Sequence, residues 1–194
     1  MRPMFTVHAG EYLVGAHIER QFKQANVWVP TRDTGVDLLV SDQENRATIS
    51  LQVKFSKDFL VTHHGPEFQK ELRACGWWTI NRAKLAKSPA GYWVFVLHGF
   101  ASRSTDFLVV PRDELVRRLD AIHGLRKLYQ VYLWTTERNM CWETRGLTRA
   151  QERQVAHGSF ADANRNLSKW LNNWTPVAEL SKRGSSPRRR RTRR

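Results

Sequence analysis

The sequence predicts an α/β domain in which helices flank a mixed central sheet, followed by a disordered basic tail. Three observations support this fold class. An amphipathic stretch near the N-terminus precedes three short strand-like runs, and the later run "YWVFVL" is apolar on both faces, as in a central strand covered by helices. After Leu180 the composition changes to Ser, Pro and Arg. We therefore expect one domain over residues 1–180 and a tail over residues 181–194.

The first part of the domain is predicted to be one helix and three strands. Leu13, Val14, Ile18 and Phe22 recur at helical spacing and predict a helix over about residues 9–26. Alternating or apolar runs predict strands over residues 27–30, 36–42 and 47–57. The last two are separated by the short polar turn "QENR", so we expect them to form an antiparallel hairpin.

The second part is predicted to alternate between helices and strands. We expect loops over residues 59–66 and a helix over 68–85 that ends at "SPAG". Tyr92–Leu97 is the predicted central strand, with a neighbour over residues 105–110. Pro111 begins a predicted helix that ends at Gly124. The remaining predictions are a strand over residues 129–136 and helices over 148–157 and 160–174.

The charge of the chain indicates a polyanionic partner. The formal net charge is +14, and the last 14 residues hold one lysine, seven arginines and no acid. Without these eight charges the preceding 180 residues keep +6, so the domain is itself basic. We expect nucleic acid as the partner, DNA in particular. The alternative is a solvated domain whose tail only aids solubility.

Neither the cysteines nor the apolar runs point to an extracellular or membrane protein. The two cysteines, Cys75 and Cys141, form no CxxC pair, so we expect neither a disulfide scaffold nor a zinc site, and a cytoplasmic location is the default. The apolar runs have the length of strands and are shorter than a membrane-spanning helix requires. The N-terminus shows no apolar signal-peptide core.

Four polar residues of the first part are predicted to meet at one edge of the sheet. In "ISLQVKFSK" the apolar residues occupy one face of the strand, and Gln52 and Lys54 occupy the other. Asp37 follows a Gly turn in the preceding strand, so the hairpin would bring it close to both. Glu11, preceded by Gly10 on the first helix, is the fourth member.

These residue types suit metal-assisted hydrolysis of a phosphodiester bond. Mg²⁺ prefers oxygen ligands, which Asp37, the side-chain oxygen of Gln52 and the backbone carbonyl of Val53 could supply. The cation would activate water and neutralise charge at the phosphorus. Lys54 could hold the attacking water and stabilise the transition state, and Glu11 could contribute to a second metal position. We expect Mg²⁺ as the cofactor, with Mn²⁺ as a substitute.

The segments "GEYLVG", "GVDLLV" and "LQVK" follow one another in an order that resembles the PD-(D/E)XK nuclease superfamily, which has the restriction-endonuclease-like fold. The resemblance covers about residues 8–57 and is closest to the branch of Holliday-junction resolvases, which carry a glutamate on the first helix. It implies that Asp37 and Lys54 match the aspartate and lysine of the motif and that Glu11 matches the helical glutamate. It also implies a metal-dependent endonuclease, and a homodimer as in the resolvases.

Gln52 departs from the motif, because it stands where the superfamily usually has a second acid. The change removes a negative charge and should lower the affinity for metal. An alternative is therefore a catalytically inactive protein that binds nucleic acid on a nuclease fold. A third hypothesis is an RNA-binding or ribosome-associated factor that depends on the arginine tail.

Other polar and aromatic residues are weaker candidates. Adjacent His63 and His64 lack a matching carboxylate and are interpreted as loop residues. Asp33 and Asp42 are interpreted as turn residues, with Asp33 a further candidate for the site. Tryptophans at positions 77, 78, 170 and 174 could stack on unpaired bases, although core packing is the preferred interpretation for Trp170 and Trp174 on their predicted helix.

Overall fold

The computed structural model describes residues 4–32, 34–99 and 103–183. The helices are α1 (Met4–Gln21), α2 (Leu60–His63), α3 (Pro66–Gln69), α4 (Arg82–Ala86), α5 (Arg112–His123), α6 (Arg149–His157) and α7 (Thr175–Arg183). The strands are β1 (Ala25–Trp28), β2 (Leu38–Asp42), β3 (Thr48–Phe55), β4 (Leu72–Asn81), β5 (Tyr92–Gly99), β6 (Ser104–Pro111), β7 (Leu128–Thr136) and β8 (Cys141–Glu143). The predicted α/β class, with a mixed central sheet flanked by helices, is confirmed.

The strands form two sheets. The central sheet has five strands in the order β1-β2-β3-β5-β6, and its β3–β5 pair is parallel whereas its other pairs are antiparallel. The second sheet has three antiparallel strands in the order β4-β7-β8 and was not predicted. The chain leaves the central sheet after β3, passes through β4 and α4, and returns as β5.

Two hydrophobic cores cover the two faces of the central sheet. On one face, Val14 and Ile18 of α1 and Val177 of α7 pack against strand residues that include Val53 and Val94. On the other face, the second sheet, α4 and α5 pack against β5 and β6. The predicted central strand is confirmed, because Trp93–Leu97 is buried throughout and its successive side chains enter the two cores alternately.

The predicted helix over residues 68–85 is wrong. Most of this stretch is β4, in which Trp78 and Ile80 are buried while Trp77 and Thr79 are exposed. This alternation has the period of a strand, and aromatic and β-branched residues favour strands. Helix is confined to the two ends of the stretch, where residues 68–69 complete α3 and residues 82–85 belong to the short α4.

The predicted helix over residues 160–174 is also wrong. The segment is irregular apart from a single 3₁₀ turn at Ser168–Trp170. The Asp162 carboxylate accepts hydrogen bonds from the backbone N–H groups of Asn164 and Arg165, and Asn166 accepts one from Ser168. Side chains that bond nearby backbone in this way compete with helix formation.

The other predicted elements are found with shifted ends. The first helix begins earlier and ends at Gln21, and Pro111 is the N-cap of α5 and not its first helical residue. The predicted loops around residues 59–66 contain the short helices α2 and α3. Residues 181–183 of the predicted tail form the end of α7, and residues 184–194 lie outside the described residues.

Candidate active site

Asp37 and Gln52 are in direct contact where the β2–β3 hairpin opens. Asp37 immediately precedes β2, and its backbone N–H donates to the carbonyl of Leu51 at 2.9 Å. Its Oδ2 accepts a hydrogen bond from the backbone N–H of Val53 at 2.6 Å and another from the side-chain amide of Gln52. Gln52 is only 9% exposed, so this polar contact lies largely inside the protein.

The strand β3 continues past the point where β2 begins. Leu38, the first residue of β2, pairs with Leu51, whereas the parallel pairing with β5 extends to Phe55. The N–H and C=O of a strand residue point to the same side. Because the Val53 N–H points to Asp37, the Val53 carbonyl points away from β5 on that same side.

Lys54 lies at the end of β3 over an aromatic side chain of β5. Its Nζ is 5.3 Å from the centroid of the Trp93 ring, a cation–π distance. Trp93 is buried and pairs with Gln52 in the parallel register, so it lies below both polar residues. The lysine is therefore held by the sheet and is half-buried.

Glu11 reaches the same place because α1 approaches β3 closely at Gly10. A Cβ at Gly10 would lie 2.7 Å from the Cβ of Phe55 and 3.3 Å from Cγ1 of Val53. Glycine therefore allows the helix to rest on the end of the strand, and Glu11, the next residue, is half-buried there.

All four predicted residues line one open cleft of about 650 Å³. The charged residues of its lining are Glu11 and Asp37 together with Lys54, Lys84 and Lys87, three cations against two anions. Sequence analysis missed Lys84 and Lys87, because residues 68–85 were assigned to one long helix and Lys87 was left beyond its end. The two lysines of "KLAK" are three residues apart, which places them on one side of a short helical turn. This spacing was the available signal for a cationic surface in this segment.

The short helix α4, which presents these lysines, is anchored at its start. Asn81 caps the helix by accepting from the Lys84 N–H at 3.0 Å. Arg82 donates to both carboxylate oxygens of Asp120 on α5 at 2.8 Å, which lowers the pKa of Asp120. The Tyr129 hydroxyl donates to the same carboxylate, and burial, reinforced by that carboxylate, raises the pKa of Tyr129 to about 12.

The remaining predicted candidates lie elsewhere. His64 packs edge-on against Trp134 at 4.6 Å, and burial lowers its pKa, whereas His63 contacts Phe59. Asp42 was predicted to be a turn residue but is the last residue of β2. Its carboxylate accepts from the N–H groups of Arg46 and Ala47 and so holds the turn that follows. Asp33 lies outside the described residues.

The four tryptophans have mostly structural roles. Trp170 and Trp174 are buried in different cores, which confirms core packing, although the predicted helix between them is absent. Trp78 is buried in the core between the sheets. Trp77 is exposed on the second sheet.

The oxygen atoms of the cleft suit a hard cation. Glu11, Asp37, the Gln52 amide and the Val53 carbonyl offer only oxygen ligands, the type that Mg²⁺ prefers. Within residues 4–32, 34–99 and 103–183 no group of three or more His, Cys, Asp or Glu side chains could hold a metal. A metal here would therefore depend on the amide and the carbonyl in addition to the two carboxylates.

No helix in the described part of the chain has the length and apolarity needed to cross a lipid bilayer. Cys75 and Cys141 are both free and buried. Comparisons of the chain with protein-family models, with curated proteins and with solved structures gave no significant match.

Proposed function

We propose that this protein is a Mg²⁺-dependent deoxyribonuclease with a restriction-endonuclease-like fold. The observation that carries the proposal is the contact of Asp37 with Gln52 and Val53 at the end of β3, in a cleft that Glu11 and Lys54 also line. An acid, an amide and an ammonium held together by a strand end are suited to binding a cation and a phosphate at once.

The order of elements supports the proposed fold. A helix, a short strand, an antiparallel hairpin and a parallel return strand bring the four residues to one cleft, which supports the proposed likeness to PD-(D/E)XK nucleases. The second sheet is an addition to that arrangement: β4 lies between β3 and β5 in the chain, and β7 and β8 follow β6.

The metal would be held by Glu11, Asp37, the Gln52 side chain and the Val53 carbonyl. At present the Gln52 amide donates its N–H to Asp37, and turning the amide over would present its oxygen instead. The two orientations of an amide are distinguished only by their hydrogen bonds. Bound Mg²⁺ supplies activation of a water molecule and neutralisation of negative charge at the phosphate.

Lys54 supplies a positive charge that does not depend on metal. Its ammonium, held against Trp93, can hold the attacking water and stabilise the negative charge that develops on the phosphate oxygens. Asp37 keeps Val53 and Gln52 in place through its two hydrogen bonds. Lys84 and Lys87, which also line the cleft, can bind the neighbouring phosphates of the DNA.

The test is cleavage of supercoiled plasmid and linear duplex DNA with Mg²⁺ or Mn²⁺. We expect the parent protein to cut DNA and Asp37→Ala to abolish cutting. Asp37→Asn serves as a second variant, because an amide oxygen can still accept from Val53 while the negative charge is lost. The matched control is Glu44→Ala, an exposed acid in the hairpin turn. If both Asp37 variants fold and cut as fast as the parent, the site is misassigned.

Gln52 favours a second candidate function, a protein that binds nucleic acid on a nuclease fold without cutting it. An amide in place of an acid leaves two carboxylates in the cleft. This candidate predicts DNA binding that is independent of Mg²⁺ and no cleavage of linear, nicked or branched DNA. New cleavage activity in Gln52→Glu, with none in the parent, would favour it over the active nuclease.

A further inference from the structure

The second sheet has a face that only partly packs against the rest of the protein. Its inner face packs on β5 through Trp78 and Ile80. At one end of its outer face, Cys75 and Trp134 are covered by the core around Leu60 and Phe68. The other end is open, and we call the four residues there the platform: Trp77, Thr79, Gln130 and Tyr132.

Half of the platform is aromatic. Trp77 and Tyr132 are direct partners on neighbouring strands, with ring centroids 5.9 Å apart and planes inclined by 36°. Trp77 is 40% exposed, and Phe59 supports its edge at 6.3 Å. The guanidinium of Arg145 lies 5.2 Å from the centroid of the Tyr132 ring. The exposed Trp77, the partly exposed Tyr132 and the exposed Arg145 therefore lie side by side on the outer face of the sheet.

The other half of the platform is polar and borders a cationic hollow. Thr79 and Gln130 form the next cross-strand pair, and both are exposed. They line a hollow of about 270 Å³ together with Arg126 and Arg145, and no carboxylate is part of its lining. Among the described residues neither Arg126 nor Arg145 forms an ion pair. Both charges are thus available to an anion.

The platform adjoins the cleft through the chain that leaves β3. The backbone N–H of Trp77 donates to Oγ of Ser56 at 3.1 Å. Ser56 is two residues beyond Lys54, and two residues of extended chain span about 7 Å. A strand of nucleic acid covers this distance with about two stacked nucleotides.

We propose that the platform binds single-stranded DNA, so that the substrate of the cleft carries an unpaired segment. Exposed aromatic rings stack on bases whose faces are not covered by pairing and stacking in a duplex, and arginines between them bind the phosphates. The absence of carboxylates from the hollow and the two arginines match the negative charge of a strand. The choice of DNA rests on the proposed nuclease function.

The experiment measures binding of the full-length protein to a fluorescent oligothymidylate of about 12 nucleotides by anisotropy. It is done in EDTA, so that the result does not depend on cleavage, and at about 0.2 M salt, which weakens nonspecific contacts of the arginine tail. We expect Trp77→Ala to bind about 10-fold or more weakly, and Trp77→Phe to recover most of the affinity. Arg145→Gln should bind several-fold more weakly.

Two controls match these variants in chemistry. Trp28→Ala removes a tryptophan that is 50% exposed on β1 of the central sheet, away from the platform. Arg153→Gln removes an exposed arginine of α6. Both should bind like the parent. Thermal unfolding of each variant confirms that it is folded.

Unchanged affinity in folded Trp77→Ala would overturn the inference and leave the nuclease proposal standing, because the assay contains no metal. Equal losses of affinity for oligothymidylate in Trp77→Ala and Trp28→Ala would also overturn the inference. Tighter binding of oligouridylate than of oligothymidylate would overturn the assignment to DNA. If Trp77→Ala loses binding and the parent cuts no DNA, the proposal that the platform binds single-stranded DNA stands and the nuclease proposal is rejected.

Discussion

The two sheets of this protein differ in how their polar groups are presented. The central sheet is covered on both faces, and its cleft lies where β3 extends beyond the end of its pairing with β2. The second sheet is antiparallel and covered on one face, and its polar and aromatic residues lie on the half-open outer face. One sheet therefore holds polar groups at a strand end, and the other spreads them over a surface.

This difference separates two kinds of task. At the end of β3 the backbone itself takes part, because the Val53 N–H bonds the Asp37 carboxylate, and the packing of α1 and β5 restricts the side chains. Such restriction suits a reaction that needs fixed distances. On the second sheet the rings and guanidinium groups face solvent and can accommodate different bases. The comparison predicts that cleavage depends on the first region and affinity for unpaired DNA on the second.

The largest expected effect is on the free energy of unfolding, and it comes from an ion pair that connects the two sheets. Arg73 of β4 donates two hydrogen bonds to Asp106 of β6, at 3.0 and 3.1 Å, and Asn172 donates a third at 2.8 Å. Both charged side chains are largely buried. Asp106→Ala would leave Arg73 buried without its partner and should lower the free energy of unfolding by about 3–5 kcal/mol.

Urea unfolding measures this effect, and Glu67→Ala is the control. Glu67 pairs with Arg149 at 3.2 Å, but both side chains are about half exposed. Its loss should cost about 0.2–1 kcal/mol. If Asp106→Ala and Glu67→Ala lose similar amounts of unfolding free energy, the Arg73–Asp106 pair does not join the sheets.

The second prediction compares the rates of DNA cleavage after removal of Lys54 and of a neighbouring lysine, Lys57. Lys54→Ala should lower the rate of DNA cleavage by about 100- to 1000-fold, because it removes a positive charge from the position of the developing negative charge. Lys57→Ala removes an exposed lysine three residues further along, which does not line the cleft. Its rate should stay close to that of the parent. Equal rates in the two variants would contradict the assigned role of Lys54.

A smaller effect tests the close approach of α1 to β3. Gly10→Ala would place a methyl group 2.7 Å from the Cβ of Phe55, so α1 must move, at a cost of about 1–3 kcal/mol. Because Glu11 moves with the helix, cleavage should fall as well. Gly15→Ala is the matched control on the same helix, where the nearest atom is Cγ1 of Val27 at 3.7 Å.

Gly15→Ala should be neutral or stabilising by up to about 1 kcal/mol, because alanine favours helix more than glycine does. Thermal unfolding and cleavage rates are measured for both variants. If the two glycines tolerate alanine equally, the contact at Gly10 does not position Glu11.

The parts of the structure that the sequence predicted depend on contacts between residues close in the chain. Asp37 and Gln52 are 15 residues apart and are joined by one short turn, so the alternation in β2 and β3 was enough to place them together. The faces of β5 and the ends of α6 were likewise evident from local pattern.

The parts that were missed depend on distant partners. Trp77 of β4 pairs with Tyr132 of β7, a distant residue. Without that partner strand, the aromatic and β-branched residues of β4 did not suffice to distinguish a strand from a helix, and the segment was assigned to a helix. The position of Lys84 and Lys87 at the cleft follows from the attachment of α4 to Asp120, another distant residue. The irregular segment before α7 is an exception with a local cause, because the side chains of Asp162 and Asn166 bond the nearby backbone in place of a helix.

The most direct test of the central claim is the rate of plasmid nicking as a function of Mg²⁺ concentration, for the parent and for Gln52→Glu. We predict that the parent nicks DNA only with the metal, and that Gln52→Glu reaches its maximal rate at a lower Mg²⁺ concentration, because the added carboxylate lies beside Asp37. Absence of nicking by the parent at every Mg²⁺ concentration, in protein that still binds DNA, would contradict the account.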